Sequence, residues 1–120
     1  MSDIPTYDLP TLYSNLDQYL TKAQHQLEVG IEAYGVAGEA HAEAYSDYRR
    51  AKADAVKQLR EDKHPVGVIT ELSNGMTAAS KEQEMKAEYT VKKARMLVDA
   101  YKERINMLKF IGRACEGAQQ

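Results

Sequence analysis

From Tyr13 onward, apolar and small residues recur at alternating intervals of three and four. One position of the repeat reads Tyr13, Leu20, Leu27, Tyr34, His41, Tyr48 and Ala55. The other reads Leu16, Ala23, Gly30, Ala37, Ala44 and Ala51, then Gln58. This spacing lines the side chains along one stripe of an α-helix, a seam for a second helix. Past Leu16 the second position holds only Ala or Gly until Gln58, so a partner backbone can come close on that edge. Pro10, with Asp8 or Thr11 as cap, marks the start, and His64–Pro65 forces a stop around Glu61–Lys63. The pattern predicts a first helix over about residues 10–62.

A second periodic run follows. Ala87, Val91, Ala94, Val98, Tyr101, Ile105 and Leu108, then Ile111 or Gly112, form its stripe, and Leu97, Met107 and Phe110 widen it near the end. It predicts a helix over about 77–114, with Ser80 and Gln83 as a capping box and Gly112 and Gly117 bounding a frayed tail. Between the two lies VGVITELSNG. There Val68, Ile69 and Leu72 have one-turn spacing, and Asn74–Gly75 is a stop signal. That reads as a short helix over about 67–74, folded over the hairpin tip. A short connection makes the long helices antiparallel. The expected fold is a single all-α domain over 1–120: a long, coiled-coil-like helical hairpin with a short tip helix. An N-terminal segment carrying Ile4, Tyr7, Leu9 and Leu12 docks on it.

The stretch GIEAYGVAGEAHAEAY puts Gly30, Gly35 and Gly38 inside the first helix. Each costs about 1 kcal/mol against Ala there. Gly30 lies on the seam, where close approach repays it. Gly35 and Gly38 flank the seam, and read as a second contact face, a slight bend or a locally weak helix.

Composition narrows the function classes. The chain has 120 residues, one Cys, one Phe, no Trp and eight Tyr. Cys115 alone excludes an internal disulfide framework and a multi-Cys zinc site, and fits a reducing compartment. No stretch is apolar enough to span a membrane, and MSDIPTYDLPTLYS does not read as a secretory leader. A cytoplasmic protein is expected. The net charge of −2 conceals an asymmetry: residues 1–48 hold one basic and eight acidic groups, residues 49–120 hold fifteen and ten. Antiparallel helices set the acidic half beside the basic end of the second helix, where residues 86–120 carry eight basic and four acidic groups. Lys92, Lys93 and Arg95 are expected to pair with Glu28, Glu32 or Glu39, or to line, with Tyr89, a pocket for an anionic nucleotide.

Candidate chemistry is sparse. His41 lies between Glu39 and Glu43, but a spacing of two points those carboxylates away from it, and no histidine stands on the second helix. No metal site, catalytic residue or cofactor is expected. His41 reads as a seam residue bonded to a tyrosine or carboxylate. YSDYRRAK is the densest basic patch with aromatics. Arg49, Arg50, Lys52, Lys57 and Arg60 with Tyr45 suit phosphate contact and base stacking, or else a solvated helix face. Arg49, Lys52 and Lys63 share roughly one side, with Arg50, Lys57 and Arg60 on others.

The stretches YSDYRRAKADAVKQLREDKHPVGVITELSNG and KAEYTVKKARMLVDAYKERINMLKFI resemble a group of small helical proteins of tailed bacteriophages. The pattern is a Tyr/Ala/Lys-rich helix, a Pro-Val-x-x-Ile turn ending in Gly, then an Ala/Glu-rich helix. Tyr48, Ala51, Lys52, Pro65, Val66, Ile69, Gly75, Ala87, Glu88, Ile105 and Leu108 carry it, over little more than half the chain. The resemblance implies a phage origin, action in the host cytoplasm and an accessory role near recombination or replication, with no catalytic residues.

The leading expectation is a non-enzymatic accessory protein that binds itself and a phage or host protein. The chain would form a dimer or a higher even-numbered bundle through Leu12, Leu16, Leu97, Tyr101, Ile105, Leu108, Phe110 and Ile111. One alternative is a nucleic-acid-binding accessory. Another is a counter-defence protein that blocks a host enzyme or sequesters a signalling nucleotide.

Overall fold

A computed structural model describes residues 14–119. They form three helices: α1 (Leu16–Glu61), α2 (Val66–Met76) and α3 (Ala78–Gln119), with no strand among the described residues. The expected all-α helical hairpin is observed. The proposed caps Asp8 and Thr11, the docking segment, and Leu12 and Tyr13 lie outside the described residues.

Contacts divide the chain into two units, residues 14–32 with 96–119 and residues 33–95. In the first unit, α1 and α3 run antiparallel. Ala23, Ile105 and Leu108 are its buried cluster, and Leu16, Tyr19, Leu20, Leu27 and Ile111 pack on them. Burying Leu108 alone contributes about 1.5–3 kcal/mol. A Cβ on Gly30 would stand 3.2 Å from the Tyr101 ring, so what approaches this glycine closely is a side chain of α3 and not the backbone expected there. Gly112 is buried rather than a helix boundary, and a Cβ there would stand 2.5 Å from Leu16 Cδ2. α3 runs past it because Gly112 continues the stripe of Ile105 and Leu108.

In the second unit, α1 ends at a two-bond cap. The His64 N–H donates to the Leu59 carbonyl at 3.1 Å and the Lys63 N–H to the Arg60 carbonyl at 3.0 Å, with Lys63 at φ 61°. This is a Schellman arrangement with lysine where glycine is usual, and Pro65 follows it. Ile69 and Ser73 are the buried residues of α2, whereas Val68 and Leu72 are exposed. The expected apolar face of α2 is therefore only one residue wide. The Asn74–Gly75 stop is also not observed. Gly75 keeps a negative φ, and the helix breaks only at Thr77, with φ −108° and ψ 12°. The Thr77 hydroxyl donates to the Ser73 carbonyl at 2.8 Å and the Ser73 hydroxyl to the Thr70 carbonyl at 3.0 Å. Such bonds back along a helix satisfy buried hydroxyls and bend it. Thr77 rather than Ser80 opens α3, its carbonyl accepting from the Lys81 N–H at 3.0 Å.

Candidate functional site

Two neighbouring features of the second unit carry functional chemistry. The first is a polar layer in the seam. On α3 the repeat reads Ser80, Glu84, Ala87, Val91 and Ala94, so Glu84 takes a place where its neighbours along the stripe are small or apolar. It is 5% exposed. His41 faces it from the seam of α1, with Nε2 at 4.0 Å from Glu84 Oε1. Lys81 Nζ lies 3.6 Å from the same oxygen. His41 Nε2 and Glu84 Oε2 are both buried and make no hydrogen bond. One turn on, Glu88 stands beside them: one ligand atom each of His41, Glu84 and Glu88 lie within 4.8 Å of one another. The Lys92 ammonium, 3.2 Å away and hydrogen-bonded to Glu88, holds that carboxyl below its ordinary range; burial opposes this, and His41 and Lys81 add to it.

The second feature is a pair of open grooves that meet at Tyr48. One, of about 930 Å³, is lined by Tyr48, Asn74, Lys81, Met85, Lys86 and Tyr89 among others. The other, of about 550 Å³, is lined by Tyr48, Arg49, Lys52, Val56, Lys57 and Arg60 among others. Cations sit on aromatic faces along this tract: Lys81 lies 4.9 Å from the Tyr48 centroid, Arg49 5.8 Å from Tyr45 and Lys93 5.6 Å from Tyr89. Lys52 Nζ donates to Asn74 Oδ1.

The predicted residues are distributed unevenly over this geometry. Arg49, Lys52, Lys57 and Arg60 share one groove, although helical spacing alone had put Lys57 and Arg60 on other sides. Arg49 and Arg60 are eleven residues apart, about three turns, and so stack on one side of α1, with Lys57 beside them. Arg50 is outside it, paired with Asp47 at 3.6 Å, and Tyr45 lies under Arg49. Lys92 and Lys93 do not reach across to α1; Glu88 and Tyr89, one turn away on their own helix, take them. Of the expected oligomer residues, Leu16, Tyr101, Ile105, Leu108 and Ile111 are packed within the first unit, whereas Leu97 and Phe110 are exposed. The seam residues Leu20, Leu27, Gly30, Tyr34, Ala37, His41, Ala44 and Tyr48 are all buried or half-buried. Cys115 is a half-buried free thiol within α3.

Glu84 is the functional candidate that sequence reasoning missed. The three-and-four repeat of α3, extended back from Ala87, reaches it directly. The partners of His41 are on the facing helix, not at Glu39 and Glu43. The chain matches no family model, and comparison with curated proteins and with solved structures finds no significant similarity.

Proposed function

We propose that the protein is a non-enzymatic binding module that assembles with a second copy of itself into a helical bundle and presents that bundle to a protein partner. The observation that carries this reading is the outer side of α3 in the first unit. Met96 and Phe110 are each 69% exposed, and they stand two heptads apart on the line opposite the packed seam. Met107 flanks that line and is also exposed, Leu97 is exposed at the border of the seam, and Glu103 stands on the line between Met96 and Phe110. A two-helix hairpin uses one stripe of each helix on itself. Exposed Met96, Met107 and Phe110 around Glu103, outside that stripe, have the chemistry of an adaptable helix-docking surface with a polar point of register. Self-association is measured by sedimentation at micromolar concentration. The wild-type chain is expected as a dimer or larger, and Met96→Asp/Phe110→Asp as a monomer that keeps its helical circular dichroism and melts lower, as the loss of assembly requires. A double variant that sediments like wild type overturns the reading. Leu108 is unsuited to this test because it belongs to the hairpin's own core.

A second reading has its own observation: Arg49, Lys52, Lys57 and Arg60 gathered in one groove beside Tyr48. Four cations and an aromatic ring suit a single-stranded nucleic acid. Four phosphate contacts predict a loss of about fifty-fold in affinity between about 50 and about 200 mM salt. Fluorescence anisotropy with labelled single strands reads this directly, and Lys57→Glu/Arg60→Glu should weaken binding. Absence of binding at the lower salt removes this reading and leaves the first intact.

A further inference from the structure

We propose that His41, Glu84 and Glu88 form a binding site for one divalent transition-metal ion of the zinc class, stapling α1 to α3 in the second unit. Three independent features converge on it.

Geometry is the first. One ligand atom from each residue already lies within 4.8 Å of the others. Zinc holds nitrogen and oxygen donors at about 2.0–2.2 Å, which sets tetrahedral donors about 3.4 Å apart. The remaining contraction is within reach of carboxylate and imidazole torsions, because Glu84 and Glu88 stand at i and i+4 and His41 approaches from the opposite helix. The three give a half-closed shell, and the partly exposed Glu88 leaves the fourth position open to water.

The second feature is that two buried atoms lack hydrogen bonds. Glu84 Oε2 and His41 Nε2 are both buried and neither makes a hydrogen bond. Glu84 is almost fully buried in a seam where an alanine or valine would pack without penalty. A buried carboxylate oxygen and an imidazole nitrogen that lack hydrogen bonds and lie on neighbouring side chains are what a cation satisfies.

The third is charge. Two carboxylates neutralise a divalent ion, and the ammonium groups that now hold them have other places to go. Lys81, 3.6 Å from Glu84, also lies 4.9 Å from the Tyr48 ring centroid, which offers it a second berth. Lys92, 3.2 Å from Glu88, is largely exposed and returns to water. One imidazole with two carboxylates favours zinc and its neighbours over magnesium or calcium, which prefer all-oxygen shells.

The test uses the full chain freed of metal with a chelator. Cobalt(II) is titrated and followed by its visible absorption, and zinc is then titrated by calorimetry. One equivalent of each per chain is expected. His41→Gln and Glu84→Gln should each weaken zinc binding by about tenfold or more. Lys92→Ala should tighten it, because a competing cation on Glu88 is gone. Melting curves without metal check that each variant is folded, and Glu84→Gln removes a buried charge and should fold at least as well as wild type. No heat with zinc and no cobalt absorption overturns the proposal. So does binding that persists unchanged in His41→Gln, which would place the ion at His25 or His64. Equal displacement of cobalt by magnesium overturns the assignment to the zinc class.

Discussion

The two units run the same three-and-four repeat along α1 and α3, and they fill it differently. In residues 14–32 with 96–119 the seam is apolar: Ala23 faces Ile105 and Leu108, and two glycines let side chains of the opposite helix lie against backbone. In residues 33–95 the buried residues mix Ala37, Ala55, Leu59 and Ile69 with Ser73, Thr77 and Glu84, and His41 faces Glu84 across the seam. One periodicity thus produces a packing seam and a polar seam. A seam built only for packing has no need of a buried carboxylate such as Glu84.

Trimming the apolar seam should have the largest effect. Leu108 is 1% exposed. Leu108→Ala is expected to lower stability by about 2–5 kcal/mol in urea unfolding, through lost transfer energy and the cavity left behind. Leu97→Ala, on the exposed side of the same helix, should stay within about 0.5 kcal/mol. Equal effects would mean that the seam of this unit is not its core.

The opposite sign is expected in the second unit. His41→Leu/Glu84→Leu replaces the polar layer with residues that fit the repeat. In metal-free protein it should raise stability by about 1–4 kcal/mol, since buried ionic groups seldom match well-packed apolar ones. A loss of similar size would show that the layer is satisfied and structural, and the contrast between the two seams would collapse.

Much of this contrast was legible in the residue pattern. The stripes of both helices were readable because spacings of three and four survive any register. Gly30 stood out because it falls on the small edge of the seam. Other features depend on geometry that the pattern does not contain. Hydroxyls stand at both Thr77 and Ser80, and only the bend made by the Ser73 and Thr77 back-bonds decides which of them opens α3. Gly112 looked like an end signal because glycine serves both ends and close contacts. Glu84 was hidden by its charge, although its position in the repeat is as regular as that of Val98. The meeting of His41 with Glu84 and Glu88 requires the register between helices, and periodicity along one helix carries no register.

Glycines offer a finer comparison. A Cβ on Gly35 or Gly38, in the second unit, would meet nothing within 4 Å. Gly35→Ala and Gly38→Ala should therefore each stabilise the protein by up to about 1 kcal/mol, through helix propensity alone. Gly30→Ala, in the first unit, gains the same propensity but presses on the Tyr101 ring at 3.2 Å and on Val98 at 3.6 Å. It should gain less than the other two or lose stability. If all three alanine variants gain equally in thermal melts, the close approach at Gly30 is too loose to matter.

The smallest expected effect is at the edge of the polar layer. Lys92 lowers the pKa of Glu88 from its ordinary 4.5 by a hydrogen bond and by charge. A lowered folded value means that the folded state holds the ionised form more tightly than the unfolded chain does. The stabilisation is therefore complete above the ordinary carboxylate range and is lost as pH falls through the folded value. Both side chains are substantially exposed, so water and salt screen the pair and its effect on melting is slight. The titration of the Glu88 carboxyl carbon by NMR is more sensitive. In Lys92→Ala its midpoint should move up toward 4.5. In His41→Gln it should move up less, since His41 lowers it less than Lys92 does. A midpoint unchanged by Lys92→Ala would mean that this ammonium does not hold Glu88 in solution. Glu88 would then already be free to swing toward His41 and Glu84, and removing Lys92 could no longer tighten a metal ion there.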